Sequence, residues 1–510
     1  MRKFYKLLAF AVLPMFSFSN VKAEMTVTES VMYESELELY NYKAARTSDG
    51  YVYVSWVAYG GIPRHGYNLY IQRYSPDGEK LFGENGLVLD THASPSWMAD
   101  NSLVVDSEGN AYVSWADSRH EENEGVENFY EMFPVIYKVS PSGESLWGGT
   151  EGLEMGGEEE YSYPPILYML NDNLYASLIA FNEWDPASLV RLNLTDGSFA
   201  CNPIQKTGQL IESEGDDFII VYAGAEGTEA MRYTKDMSPI WNNPALVSTN
   251  IYGGYGRFPY DLVSDGMGGV VVSFERQVGL WYHMPIVQYI KSNGEAVFGE
   301  AVDVIDTEMY EHDYCVIGVN TETEEIMAAW SISGGKTAVG GQLLDYFGDR
   351  LWGDEGVILQ EKESWSGYGY GTIAVWPLPE SKWLVLYADE IGWANNQLYL
   401  SCIDENGEEE WLLPLGEPQD VSYPKFYFEN GNLYLYYKNE FTDDDWNTTY
   451  YVRLITVKGI IDIDSGVNDI TVKNDKPEFY SIDGVKSNHP VKGINIIKEK
   501  DGSVRKVYVK

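Results

Sequence analysis

Three stretches of this chain set aromatic rings beside carboxylates or an imidazole: Trp281-Tyr282-His283, Trp365-Ser-Gly-Tyr368-Gly-Tyr370 and Asp389-Glu-Ile-Gly-Trp393. The mixture suits sugars, because a ring face covers C–H patches while carboxylates accept hydroxyl hydrogen bonds. Trp97, Trp184 and His312 lie in segments of the same kind and join the candidate ligand contacts. For acid–base work the loop carboxylates Asp117, Glu183, Asp185, Glu275, Asp389 and Glu390 are available, and glycoside hydrolysis needs two of them at a set separation. The chain holds 78 acidic residues, so carboxylates in loops arise by chance and no catalytic set is assigned. Glu311-His312-Asp313 is read as a solvated loop. No zincin, nucleophile-elbow or phosphate-loop motif occurs, and the histidines are never spaced as paired ligands, so no metal is expected. Asp443-Asp-Asp-Trp-Asn447 offers hard oxygens without EF-hand spacing, which leaves calcium a possible cofactor with no motif behind it.

The elements that must position these residues follow a repeat. Tyr70–Leu89 and Val135–Leu153 each run from an apolar stretch through a Ser-Pro-x-Gly-Glu turn to an aromatic-Gly segment. Weaker copies occupy Gln288–Gly299, Gln342–Leu359 and Tyr399–Leu412. Eight alternating runs, most ending in an aromatic, accompany them: Tyr51–Trp56, Ala111–Trp115, Leu174–Ile179, Phe218–Tyr222, Val270–Phe274, Ile326–Trp330, Trp383–Tyr387 and Leu433–Tyr437. Period-2 alternation bounded by Asp-Gly and Asn-Gly turns is a strand-hairpin signature. A spacing of about 43–63 residues allows four strands per unit, the dimension of a propeller blade. The expected fold is therefore all-β: one β-propeller of four-stranded antiparallel sheets, eight blades favoured over seven, over residues 24–459. The last unit supplies about three strands, and Met25–Tyr33 reads as a lone strand that completes it and closes the ring.

Within such a blade, the loops after strands two and four share one face. Those loops are the long ones here, and they contain His65, His92, His120, His283 and His312 together with the aromatic candidates. Long loops on a rigid scaffold carry function, so this face is the expected binding surface.

Composition narrows the partners. Of the net charge of −43, residues 1–23 contribute +4 and residues 466–510 contribute +3, so residues 24–465 carry −50. A body this acidic repels nucleic acid and anionic lipid. Arg2, Lys3 and Lys6, the apolar run Leu7–Phe18 and Val21-Lys-Ala23 read as a secretory signal over residues 1–23. Its apolar run is too short to span a bilayer, and nothing later approaches a span. Cys201, Cys315 and Cys402 are far apart and read best as free buried thiols, with one disulfide as the alternative.

After Gly459 the pattern changes. Residues 460–468 read as a linker, and 469–510 as a small antiparallel sandwich or hairpin set. Tyr480-Ser-Ile-Asp-Gly-Val-Lys486, Lys492-Gly-Ile-Asn-Ile-Ile497 and Arg505-Lys-Val-Tyr-Val-Lys510 resemble the C-terminal sorting domains of type IX secretion cargo. Lys486 follows Val485 where that family sets its basic residue before the Val, and Asn495 replaces a common aromatic. Trp115-Ala-Asp-Ser-Arg119, Gln72-Arg73 and Leu146-Trp-Gly148 resemble the repeats of secreted bacterial propeller proteins. The resemblances imply export to the cell surface or beyond, with secretion machinery as one partner. The leading expectation is a non-catalytic propeller that binds an extracellular glycan or protein. A secreted carbohydrate-active hydrolase or lyase is the alternative, and a structural adhesion protein the second.

Overall fold

The repeated Asp-Gly turns close by one hydrogen-bonding scheme. Ser75 N–H donates to Glu79 O and Gly78 N–H to Ser75 O, both at 2.9 Å, and Ser140, Lys291, Asp345 and Asp404 open equivalent turns. The fourth residue is left-handed each time, with φ of 85° at Gly78, 86° at Gly143 and 82° at Gly407. A three-residue hairpin ending on a left-handed position requires that geometry, and glycine adopts it without steric cost.

A buried glutamine on strand three then fixes the outer strand. Gln72 Nε2 donates to Gly83 O at 2.6 Å, while its Oε1 accepts from Arg73 N–H and Phe82 N–H, each at 2.9 Å. Gln288 and Gln342 repeat the arrangement on Gly299 and Gly353. This clamp explains the recurring Gln followed ten residues later by an aromatic and then Gly. The second glycine of the segment is also forced: a Cβ on Gly86 would lie 2.7 Å from Ile71 O and 3.0 Å from Trp56.

The computed structural model describes residues 25–59, 66–90, 92–94, 100–120, 132–156, 163–178, 188–249, 261–278, 283–306, 311–334, 336–362, 369–392, 395–443, 446–461, 478–481, 486–487, 493–498 and 504–509. The signal segment 1–23 and most of the 460–468 linker lie outside them. Among the described residues, no helix is long and apolar enough to cross a membrane.

Residues Met25–Ile460 form one compact unit of eight antiparallel sheets in a ring. We number the blades in chain order by their innermost strands: Tyr40–Arg46, Ser102–Val105, Ile166–Leu170, Gln209–Glu212, Asp261–Ser264, Glu311–Asn320, Tyr370–Leu378 and Ser422–Glu429. Seven sheets have four strands. Blade 3 has three, with single bridges Leu189–Ile204 and Leu192–Phe199 on its outer side. Blade 8 closes the ring as expected: Thr26–Ser35 pairs antiparallel with Thr448–Lys458 as its outermost strand. On the inner side Arg46 N–H donates to Tyr427 Oη at 3.3 Å, and the Arg46 guanidinium meets Glu429 at 3.1 Å, joining blade 1 to blade 8.

The core lies between blades. Trp115, Tyr137 and Val135 of blade 2 pack on Tyr53, Leu69 and Ile71 of blade 1, and Trp330 of blade 6 packs with Val271 and Tyr289 of blade 5. Truncating an aromatic buried like Trp115 costs about 3–5 kcal/mol. Cys201, Cys315 and Cys402 are free thiols, with Cys201 partly exposed rather than buried.

Two segments expected as long loops after strand two, Ala388–Asn396 and Lys438–Thr449, are largely strand. Strands two and three of blade 7 run on as Lys382–Gly392 and Asn395–Ile403, and those of blade 8 as Asn432–Thr442 and Thr448–Lys458. Pairing continues through Asp389–Gln397 and Asn439–Tyr451, so the face is elaborated there by extended hairpins. The second unit includes Ile461–Lys510. Its described strands form a four-stranded antiparallel sheet ordered Lys486–Ser487, Glu478–Ser481, Gly493–Lys498 and Val504–Val509.

Candidate functional site

Each innermost strand enters from the face that carries the strand-two hairpins. Four of them, in blades 1, 6, 7 and 8, bulge near that entrance, between Tyr40 and Lys43, Asp313 and Val316, Thr372 and Ala374, and Ser422 and Lys425. A bulge re-aims the side chains beside it. In seven blades pairing places one residue of the innermost strand opposite the penultimate position of the strand-two run, and in blade 3 Ile166 takes the corresponding place opposite Ser177. Around the ring this tier reads Lys43, Ser102, Ile166, Gln209, Asp261, Val316, Ala374 and Lys425. Two of its polar members bond to the following blade: Ser102 Oγ accepts from Leu167 N–H at 3.1 Å and Asp261 Oδ2 from Ile317 N–H at 3.0 Å. Burial pushes the Asp261 carboxyl up to about 6, against the pull of the Ile317 and Leu262 N–H donors.

At this tier an axial cavity of about 850 Å³ opens among blades 8, 1, 2 and 3. Tyr42–Ala44, Asp100–Val104, Tyr163–Tyr168 and Pro424–Lys425 line it. Asn101 braces the wall, accepting from Ser55 Oγ at 2.8 Å and donating to Asn41 O at 2.5 Å. Asn41 sits at φ 48° inside the blade 1 bulge. Lys43 Nζ pairs with Asp100 at 2.8 Å. Lys425 has no ion-pair partner among the described residues, and its Nζ lies 5.9 Å from the centre of the Tyr427 ring. Its side chain is open to water, yet the surrounding walls and the neighbouring Lys43 hold its ammonium below lysine's usual range.

A second group lies between blades 5 and 6 on the same face. His283 Nδ1 is 2.8 Å from Asp313 Oδ1 and 4.0 Å from Glu275 Oε2. Glu275 stands near the end of strand two of blade 5, and His283 opens strand three diagonally across from it. Asp313 comes from the next blade, just before the bulge at Tyr314, whose φ is 61°. Tyr314 N–H donates to Glu275 at 2.6 Å. Burial raises the Glu275 carboxyl, and the nearby Asp313 charge adds to the rise. In the tautomer that donates Nδ1–H to Asp313, the His283 Nε2 is left as an acceptor. The three ligand atoms lie within 4.8 Å of one another, an arrangement able to hold one divalent cation. The sequence contains the three residues but hides their meeting, because they arrive from three segments of two blades.

The other sequence candidates are placed as follows. His312 is buried and its Nδ1 accepts from Trp330 Nε1–H at 3.0 Å, so Glu311–Asp313 begins the innermost strand of blade 6 instead of a solvated loop. Tyr370 is buried, paired across the sheet with Asp389, and Lys362 bridges them: its Nζ meets Asp389, donates to Glu390 O at 2.7 Å and lies 4.6 Å from the Tyr370 ring centre. Asp117 is wholly buried and held at both oxygens by Arg119, at 2.9 and 3.0 Å. Asp443 uses Oδ1 to cap its own turn through Asn447 N–H at 2.9 Å. Trp97, Trp184, Trp281, Tyr282, Trp365, Tyr368 and Trp393, with Glu183 and Asp185, lie outside the described residues.

No family profile matches the chain, and no curated protein matches it. Several solved structures are similar along most of its length. A protein of unknown function from Dyadobacter fermentans is 10% identical, covering 85% of this chain and 99% of its own with TM-score 0.38. The polysaccharide lyase Uly1 is 11% identical over 83% of this chain and 99% of that one, TM-score 0.40. A PL25 ulvan lyase bound to -[GlcA(1-4)Rha3S]- is 9% identical over 83% and 95%, TM-score 0.42. At these values the likenesses assign neither activity nor substrate to this chain.

Proposed function

We propose that this chain is an exported β-propeller that binds an extracellular glycan on the face where the innermost strands enter. The observation that carries the reading is the axial cavity. Its volume, about 850 Å³, falls in the range of small-ligand sites, and four blades contribute tyrosines, prolines, amides and charges to its wall. Mixed apolar and hydrogen-bonding walls are what a sugar ring requires. Delivery rests on the basic–apolar–small segment at residues 1–23 and on the tail's resemblance to type IX sorting domains. A glycan array with the intact chain, followed by Tyr163→Ala and Trp281→Ala variants, tests the reading. Loss of affinity in Tyr163→Ala supports it; unchanged affinity in both variants would mean that another surface binds.

A second reading has its own observation. The Asp313–His283 pair beside Glu275, whose carboxyl is raised by burial, has the makings of an acid–base centre, with the aspartate set against the imidazole. Incubating any bound glycan with wild type and His283→Ala separates the two. Product formed by wild type and lost in the variant makes the chain a carbohydrate-active enzyme; no product in either leaves a binder.

A further inference from the structure

We propose that the axial cavity is a subsite for one oxyanion group, a carboxylate or sulfate ester carried by the glycan ligand, received by Lys425 with Lys43 beside it. The inference rests on the glycan-binding reading above and names the class of sugar.

Residues 24–465 carry −50, yet two lysines occupy one tier of the ring on adjacent blades and face the same cavity. The fold does not demand a cation there, because Val316 and Ala374 fill the same position after the same kind of bulge in blades 6 and 7.

Among the described residues Asp100 is the one acid in the cavity wall, and it is committed to Lys43 at 2.8 Å. Lys425 adds a positive charge that no described residue offsets. Holding a crowded ammonium beside a second one costs stability, and an entering oxyanion would offset both charges through short charge-assisted hydrogen bonds. Tyr163, Pro164 and Pro165 form an apolar wall on the other side, which suits the ring that carries the anion. The acidic surface beyond repels extended polyanions, whereas a charge drawn into the cavity lies within the reach of the lysines, since screening sets in over about 8 Å.

The test uses the intact chain in calorimetric titrations with a uronate-containing oligosaccharide, its carboxyl-reduced neutral counterpart and inorganic sulfate. We expect wild type to prefer the acidic oligosaccharide by about tenfold or more, as one charge-assisted contact gives. Lys425→Met should erase the preference without lowering the urea midpoint, and Lys425→Arg should keep it. Because the acid-versus-neutral comparison is made on wild type, it stands even if the Met variant fails to fold. Equal affinity for the two oligosaccharides overturns the oxyanion inference and leaves the glycan reading intact. Preference retained in a folded Lys425→Met overturns the assignment to this cavity. Binding of sulfate alone would mean a free-anion site and would overturn both the sugar-borne class and the glycan reading. No binding of any probe overturns both as well.

Discussion

Lys43 and Lys425 stand at the same level of adjacent innermost strands, each the first paired residue after a bulge. They are 382 positions apart in the chain, near the two ends of the propeller. Their proximity exists because the ring closes, with the first described strand, Thr26–Ser35, completing the last blade. Closure and the basic side of the cavity are therefore one structural event.

Glu29 holds that closing strand. Its Oε1 accepts from Tyr437 Oη and Arg453 Nη1, both at 2.9 Å, and from Gln419 Nε2 at 3.3 Å, tying the strand to blades 8 and 7. Glu29→Ala should lower the unfolding free energy by about 1–3 kcal/mol, the cost of hydrogen-bonded groups left without their charged partner. Urea denaturation measures this, and an unchanged midpoint would show that closure depends on backbone pairing alone.

The glutamine clamp should be worth more. Gln342 is wholly buried and satisfies Gly353 O, Leu343 N–H and Trp352 N–H at 2.7 to 3.1 Å. Gln342→Leu keeps the volume and strands those groups, so a loss of about 2–4 kcal/mol is expected. A thermal midpoint within error of wild type would contradict the clamp.

His312 makes a pH prediction. Burial lowers its imidazole from the usual 6.5 to about 4, with the Asp313 charge opposing. A folded value below the unfolded one means its stabilising contribution is complete above pH 6.5. That contribution is lost as pH falls from there through about 4, at most about 3 kcal/mol. His312→Gln retains an acceptor for Trp330 and removes the titration. Wild type should lose more stability than this variant between pH 7 and pH 4 in urea titrations; parallel losses would contradict the assignment.

Much of the scaffold is legible in the residues. The Asp-Gly turns and the alternating runs behind Trp56, Trp115 and Trp330 specify hairpins locally, and the lone strand before blade 1 has no other edge to cover. The length of the hairpins on the binding face is less legible. Asp389-Glu-Ile-Gly392 and Asn439-Glu-Phe-Thr442 read as loops because their charged and exposed residues break the apolar alternation, while their backbone pairing continues. The site is legible only in part. Glu275 and His283 were visible as candidates, but Asp313 joins them only through the packing of blade 6 on blade 5. Lys43 and Lys425 carry no motif. Their signal is positional, a lysine about a dozen residues before the penultimate residue of a strand-two run, and it has meaning only once the repeat is in register.

Hydrogen–deuterium exchange of the intact chain, with and without the glycan that binds it, tests the central claim most directly. The account predicts slowed exchange in 100–104, 163–168 and 422–425, the strand entrances around the cavity. It predicts no change in the turns of the opposite face at 75–79 and 140–144. Slowing confined to those turns, or no glycan that slows exchange anywhere, would contradict it.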